Sequence, residues 1–279
     1  MQIINSIADF RAARRELKGS LGFVATMGYL HEGHIALVQQ ALRENDHVAV
    51  SIFVNPTQFG PNEDFSSYPR DPEHDLAALR EANTTLLFMP TVEEIYPKGF
   101  QTYVEVTGVS QGLEGARRPT HFRGVATVVN KLFNIVQPDR AYFGQKDAQQ
   151  VAVIRQMVAD LAMPLEVVVA PIVRAPDGLA LSSRNSYLTS AQRLKAPVLY
   201  HALMAARASY DAGERSPQAL RAAMKTVLAA EPLAEVDYVS VADAATLAEL
   251  DAPTDRPLLL SMAVRIGKPR LIDNLILGG

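Results

Sequence analysis

Residues 21–38 read LGFVATMGYLHEGHIALV, and the way this stretch changes texture decides the fold. LGFVATM is a nearly continuous apolar run, the pattern of a strand buried on both faces. HIALVQQALREN, from His34, sets Ile35, Val38, Ala41 and Leu42 at helical spacing. A parallel strand that runs into a helix puts its turn at the carboxyl edge of the sheet, where open α/β folds bind ligands. That turn holds Gly28 and Gly33, which let a ligand approach the backbone, and His31 and His34, three residues apart.

The same alternation continues outward. HVAVSIFVNP, TTLLFMP, PDRAYFG and LEVVVAPIV read as further strands. DPEHDLAALREAN, capped by Asp71 with Pro72 after it, FRGVATVVNKLFNIVQ and DAQQVAVIRQMVADLA read as helices. Strand–helix repetition with apolar strands predicts an α/β fold, a parallel sheet covered on both faces. After RAPDG the texture shifts to alanine-rich helices near 190–211 and 217–230, then strands around VDYVSVAD, RPLLLSMAVRIG and PRLIDNLIL. This predicts two domains, residues 1–174 and a smaller α+β domain over 175–279.

Composition narrows the function. The 279 residues are 48% hydrophobic and 20% charged, with a formal net charge of −3, so no basic field argues for nucleic acid or an anionic membrane. Cysteine is absent, which removes disulfides, thiolate metal sites and cysteine nucleophiles and fits a reducing compartment. Residues 1–19 mix Asp9, Glu16 and several arginines into a helix-like pattern without the apolar core of a signal peptide, and no run suggests a membrane span. A cytoplasmic globular protein is expected.

Four further segments carry candidate chemistry. The helix start after Gly28 offers backbone N–H groups and a positive dipole end to a phosphate, with His31 and His34 as added donors. Zinc competes weakly, because the spacing is not H-E-x-x-H and no thiolate is available. Asn55 and Gln58 follow a strand and would present neutral amides to hydroxyl or carboxylate groups, with Phe53 and Phe59 walling a small pocket. Lys146 in AYFGQKDAQQ places a point charge where a strand meets a helix, while Asp147 suits a cap; of Gln149 and Gln150 only one can face the site. LALSSRN supplies two hydroxyls and the Arg184 guanidinium fork. Arg117, Arg118, His121 and Arg123 form a basic cluster, a solvated face or an anion holder. Phosphate-directed donors, a neutral-substrate corner and no covalent nucleophile suit nucleotidyl transfer.

TMGYLHEGH, SIFVNPTQF, HFRGVATVVNKLFNIVQPDRAYFGQKDAQQ and LALSSRN together resemble the pantothenate synthetase (pantoate–β-alanine ligase) family of the H-x-G-H nucleotidylyltransferase superfamily, most strongly over residues 1–190. The resemblance implies a Rossmann-like domain with a small C-terminal lid domain, a homodimer, and the partners ATP, (R)-pantoate and β-alanine, with Mg2+ accompanying ATP. It implies condensation through a pantoyl adenylate, with release of pyrophosphate and then AMP. Carried over by position, Met27, Gly28, Tyr29, Leu30, His31, Glu32, Gly33 and His34 line the ATP site, His34 being the family's proton donor. Gly144, Gln145, Lys146, Asp147, Val173, Leu181, Ser182, Ser183 and Arg184 also serve ATP. Gln58 and Gln150, with Met27, Phe53 and Asn55, serve pantoate or β-alanine, and Asp75 is the candidate magnesium ligand. The catalytic set is His31, His34, Lys146, Ser182, Ser183 and Arg184.

Ala25, Tyr29, Ala148 and Leu181 depart from the family pattern without removing a polar catalytic group, and His74 stands beside Asp75 where an acid is often found. Two other readings compete. Transfer to a phosphorylated acceptor would want more cations near Gln58 and Gln150, and a nucleotide sensor would have less need of the whole catalytic set.

Overall fold

The computed structural model describes residues 1–60, 63 and 65–278. They form two compact units, one of Met1–Gly144 with Val153–Pro171 and the other of Gln145–Ala152 with Ile172–Gly279. The division differs from a single boundary at residue 175, because the segment that opens with the Lys146 turn groups with the later part of the chain.

The first unit is built on six parallel strands: β1 (Gln2–Ile4), β2 (Leu21–Thr26), β3 (His47–Ile52), β4 (Leu86–Phe88), β5 (Arg140–Gly144) and β6 (Glu166–Ala170), in the order β1-β4-β3-β2-β5-β6. From β2 the chain steps through β3 to β4, then returns to the other side of β2 for β5 and β6. The carboxyl ends of β2 and β5 therefore flank the point where strand order reverses, which is where such sheets bind ligands. TMGYLHEGH leaves β2 at that point, and Gly144 ends β5 there. The parallel sheet and the Rossmann-like arrangement match expectation; β1, an edge strand from a stretch that reads as helix-like, does not.

Six described helices and the later part of a seventh, from Val153, belong to this unit: α1 (Ile7–Glu16), α2 (Glu32–Glu44), α3 (Pro72–Glu81), α4 (Val92–Ile95), α5 (Leu113–Arg117), α6 (His121–Val136) and α7 (Ala148–Asp160). Their starts follow the sequence. Asp71 accepts the His74 amide at 3.1 Å with Pro72 at the first helical position, as its capping pattern predicts. α6 buries Phe122, Val125, Val129, Leu132, Phe133 and Val136, and ends where Gln137 turns left-handed before Pro138. Phe10 of α1 is fully buried with its ring 5.0 Å from that of Phe88 on β4, which holds the helix against the sheet.

The second unit carries α8 (Ser190–Lys195), α9 (Val198–Asp211) and α10 (Pro217–Ala229), and an antiparallel sheet β7 (Ala234–Asp243), β8 (Leu258–Ile266) and β9 (Arg270–Leu277) in that order. The single helix expected near 190–211 is two, because Pro197 cannot continue a helical hydrogen-bond ladder. Leu199, Leu203, Leu220, Met224 and Leu228 from the helices close over Leu260, Met262 and Val264 of the sheet. Among the described residues, no helix is long and apolar enough to cross a membrane.

Candidate active site

In the first unit the site begins with a strained turn. Thr26 ends β2; its hydroxyl donates to the Ser51 carbonyl at 2.8 Å and accepts the Gly28 amide at 3.2 Å. Gly28 (φ 81°) and Tyr29 (φ 52°) are then both left-handed, which glycine tolerates and tyrosine resists by about 1–2 kcal/mol. The conformation aims the amides of Tyr29 and Leu30 at one point, and Asp75 of α3 fills it. Its two oxygens accept those amides at 2.8 and 2.7 Å, and the side chain is buried. A Cβ on Gly28 would stand 3.0 Å from Asp75 Oδ2 and from Ile52 Cγ2, so the turn fits closely around the carboxylate.

A carboxylate from the protein's own α3 thus takes the two amides that precede the helix, Tyr29 and Leu30, while α2 itself starts at Glu32 after the His31 cap. The same geometry gives Asp75, the candidate magnesium ligand, a structural role as the fastener of the turn.

His31 and His34 start α2 as a reciprocal cap. His31 Nδ1 accepts the Gly33 amide at 3.1 Å, His34 Nδ1 accepts the His31 amide at 3.3 Å, and the rings lie 4.1 Å apart. Caps normally use Ser, Thr, Asp or Asn. An imidazole can do the same work only with Nδ1 unprotonated, so these bonds assign the proton of each neutral ring to Nε2. Each ring is thus fixed as a positioned Nε2–H donor.

The amide corner is equally constrained. Asn55, buried, caps a short 3₁₀ turn, Pro56–Gln58. Its Oδ1 accepts from the Thr57 amide and hydroxyl and from the Tyr96 hydroxyl, at 3.3, 2.9 and 2.8 Å. Its Nδ2 donates to Gln58 Oε1 and to the Gly124 carbonyl, both at 3.1 Å. Asn55 therefore holds Gln58, whose Nε2 lies 3.0 Å from Met27 Sδ. Phe53 packs beside Tyr96, and Phe59 beside Phe65 and Tyr68.

The basic cluster supports this corner too. His121 Nδ1–H donates to the Gln58 carbonyl at 2.9 Å, and Arg118 reaches the same oxygen at 3.3 Å while gripping Glu63 with two bonds of 2.6 Å. Burial, aided by the Arg118 charge, pushes the His121 value down to about 4, so the ring is neutral near pH 7. Burial alone would raise the Glu63 carboxyl, but the Arg118 guanidinium more than offsets this and holds it below the ordinary range. Gly124 lets α6 approach the turn: a Cβ there would come within 2.3 Å of the Thr57 carbonyl oxygen.

In the second unit, Gln145–Asp147 form a 3₁₀ turn that puts Lys146 Nζ 3.7 Å from Asp147. Of the neighbouring glutamines, Gln149 is buried and Gln150 half-buried. Val173 and Leu181 are joined by a 3.0 Å backbone bond across a tight hairpin. Ser182 then caps the turn Ser183–Tyr187 by accepting the Arg184 amide at 3.3 Å. Gly178 closes the hairpin at φ 91° with the Tyr200 ring 2.0 Å from any added Cβ. The sequence reading missed Tyr96, Gly124, Arg174, Asp273 and Asn274. The one available signal was a polar pair, Asp273–Asn274, inside an otherwise apolar strand.

The family model described as Pantoate-beta-alanine ligase matches residues 2–276. A pantothenate synthetase of Herpetosiphon aurantiacus is 62% identical over 277 residues, 99% of this chain and 100% of that one. That of Chloroflexus aurantiacus is 62% identical over 279 residues, 100% and 99%. The crystal structure of pantothenate synthetase from Thermus thermophilus superposes with a TM-score of 0.93 at 51% identity, covering 99% of both chains. The pantoate-beta-alanine ligase of Francisella tularensis, complexed with beta-gamma ATP and beta-alanine, superposes at 0.81 with 36% identity, covering 99% of this chain and 97% of that one.

Two outcomes test the geometry. Asp75→Asn keeps the shape but sets an amide NH2 against a backbone N–H, so it should lower stability by about 1–3 kcal/mol and speed hydrogen exchange at the Tyr29 and Leu30 amides above other turn amides. For His121, the folded value of about 4 lies below the unfolded 6.5. Between these values the unfolded chain binds a proton that the folded chain refuses, so stability falls as the pH drops. The loss from pH 7 to pH 5 should be about 2 kcal/mol, read by urea unfolding at both pH values, and His121→Gln should lack that part of the slope.

Proposed function

Because this chain belongs to the pantoate–β-alanine ligase family and so joins pantoate to β-alanine, we propose that it does so through an acyl adenylate made from ATP. In the first step a pantoate carboxylate oxygen bonds to the α-phosphorus. The bond from that phosphorus to its bridging oxygen breaks, and pyrophosphate leaves with the electron pair. In the second step the β-alanine nitrogen bonds to the acyl carbon, the acyl C–O bond breaks, AMP leaves and the amine proton is released.

The observation that carries this reading is the reciprocal histidine cap. Two imidazoles with Nε2–H fixed as donor are suited to meet charge as it builds on phosphate oxygens, without proton rearrangement beforehand. In this reading His31 and His34 give Nε2–H hydrogen bonds to the phosphates, His34 being the donor that the family assigns there, and Met27–Gly33 line the nucleotide. Lys146 adds a point charge to the phosphates, with Gly144, Gln145 and Asp147 beside it. Val173 meets the adenine, and Leu181, Ser182, Ser183 and Arg184 close on the triphosphate. Gln58, its amide oriented by Asn55, and Gln150 bind the small polar substrates, and catalysis is mainly positioning and charge stabilisation.

The described residues contain no group of three or more His, Asp or Glu side chains placed to hold a metal, and each Asp75 oxygen accepts a backbone amide. Magnesium in this reading arrives on ATP, held by phosphate oxygens and water. Family membership is likewise the ground for reading the enzyme as a cytoplasmic homodimer.

Labelled pyrophosphate should exchange into ATP when pantoate is present and β-alanine is not; absence of exchange would rule out the adenylate. His34→Ala should lower turnover about 10²–10³-fold while ATP affinity, measured by calorimetry, changes far less. Equal losses in both would make His34 a binding residue only.

A further inference from the structure

The second unit contains a polar pair that no step above uses. Asp273 and Asn274 sit together in β9, 2% and 3% exposed, in a strand that otherwise reads PRLIDNLIL. Buried polar side chains in an apolar strand are kept only with partners, so where their hydrogen bonds go is informative.

Asn274 commits its whole side chain to the lysine turn. Nδ2 donates to the carbonyls of Gln145 and Lys146 at 3.0 and 2.8 Å, and Oδ1 accepts from Gln145 Nε2 at 3.0 Å. A carboxamide is the one side chain whose donor pair and acceptor can match two adjacent carbonyls and an amide in this way. The carbonyls belong to the 3₁₀ turn Gln145–Asp147, so Asn274 fixes the backbone from which the Lys146 side chain projects.

Asp273 holds a second segment. Its oxygens take Arg174 Nη1 and Nη2 at 2.7 and 2.9 Å, and the same guanidinium donates to the Gly178 carbonyl at 2.9 Å and lies over the Tyr200 ring at 4.8 Å. Arg174 follows Val173, and Gly178 closes the hairpin that returns to Leu181 and the Ser182–Arg184 turn. Two adjacent residues of one strand thus fasten both segments of this unit that the proposed function assigns to ATP.

We propose that Asn274, with Asp273 beside it, is a positioning residue that sets where the Lys146 ammonium stands relative to the serine–arginine segment. The proposal rests on the reading of Lys146 as an ATP-binding residue. It predicts a defect confined to ATP, because the lysine is displaced and not removed.

The test compares Asn274→Ala, Asn274→Ser, Lys146→Ala and the double variant Lys146→Ala/Asn274→Ala in steady-state kinetics and pantoate-dependent pyrophosphate exchange, with thermal melts to confirm folding. Asn274→Ala should raise the KM for ATP about tenfold, the equivalent of one good hydrogen bond, and slow exchange while the KM for β-alanine stays unchanged. Asn274→Ser, which keeps one donor, should fall between it and the parent, and carries the test if the alanine variant does not fold. The double variant should be no worse than Lys146→Ala, since both act through one group. Losses that multiply, a parent-like KM for ATP in both Asn274 variants, or a fall in kcat with every KM unchanged would overturn the proposal. A Lys146→Ala enzyme with parent-like ATP kinetics would instead overturn the reading of Lys146 on which it rests.

Discussion

The bond on which the histidine motif depends is made by neither histidine. Asp75 reaches from α3 to accept two successive amides of the turn after β2. Without it the left-handed pair Gly28–Tyr29 would leave the converging amides of Tyr29 and Leu30 without this acceptor. With it, the chain leaves β2 along a path that brings His31 to the start of α2, where the reciprocal cap forms. Carboxylate acceptors of this kind contribute more than neutral ones, about 1.5–3 kcal/mol each. That is enough to outweigh the strain of a non-glycine residue at positive φ.

A similar division of labour runs through the amide corner. Gln58 is the side chain with chemistry to offer, but its orientation comes from Asn55 and its backbone from His121 and Arg118. Gly124 lets α6, which carries His121, come close enough. Two members of the basic cluster are therefore part of the scaffold: His121 is neutral by burial and Arg118 is neutralised by Glu63. In the second unit the strand β9 plays the supporting part for the lysine turn. In each case a polar group from another segment holds a functional residue by its backbone or its side chain, which leaves no mark on the functional residue's own motif.

Much was nevertheless legible in the residues themselves. Near-continuous apolar runs such as LGFVATM and helices with one apolar stripe gave the parallel sheet, because a period of 2 or 3.6 is a local property that tertiary context rarely erases. Pro72 and Asp71 marked the start of α3, and the motif set around His31, His34, Lys146 and Ser182–Arg184 marked the family, now established over residues 2–276. What the motifs did not show was of another kind: Asn55 and Asp75 are held by partners 41 and 45 residues away, Tyr96 and Leu30.

By itself, then, the sequence determined the strand–helix alternation, the turn at which two histidines meet a sheet edge, and the chemical class of the groups assembled there. Only the tertiary structure decided which polar groups face inward to hold the turns, which tautomer the histidines carry, and that Asp273–Asn274 belongs with the lysine turn. The physical reason is range. Periodicity and capping are written within one or two turns of chain. A buried hydrogen bond is decided by whatever segment the fold brings alongside, 129 residues away in the case of Gln145 and Asn274.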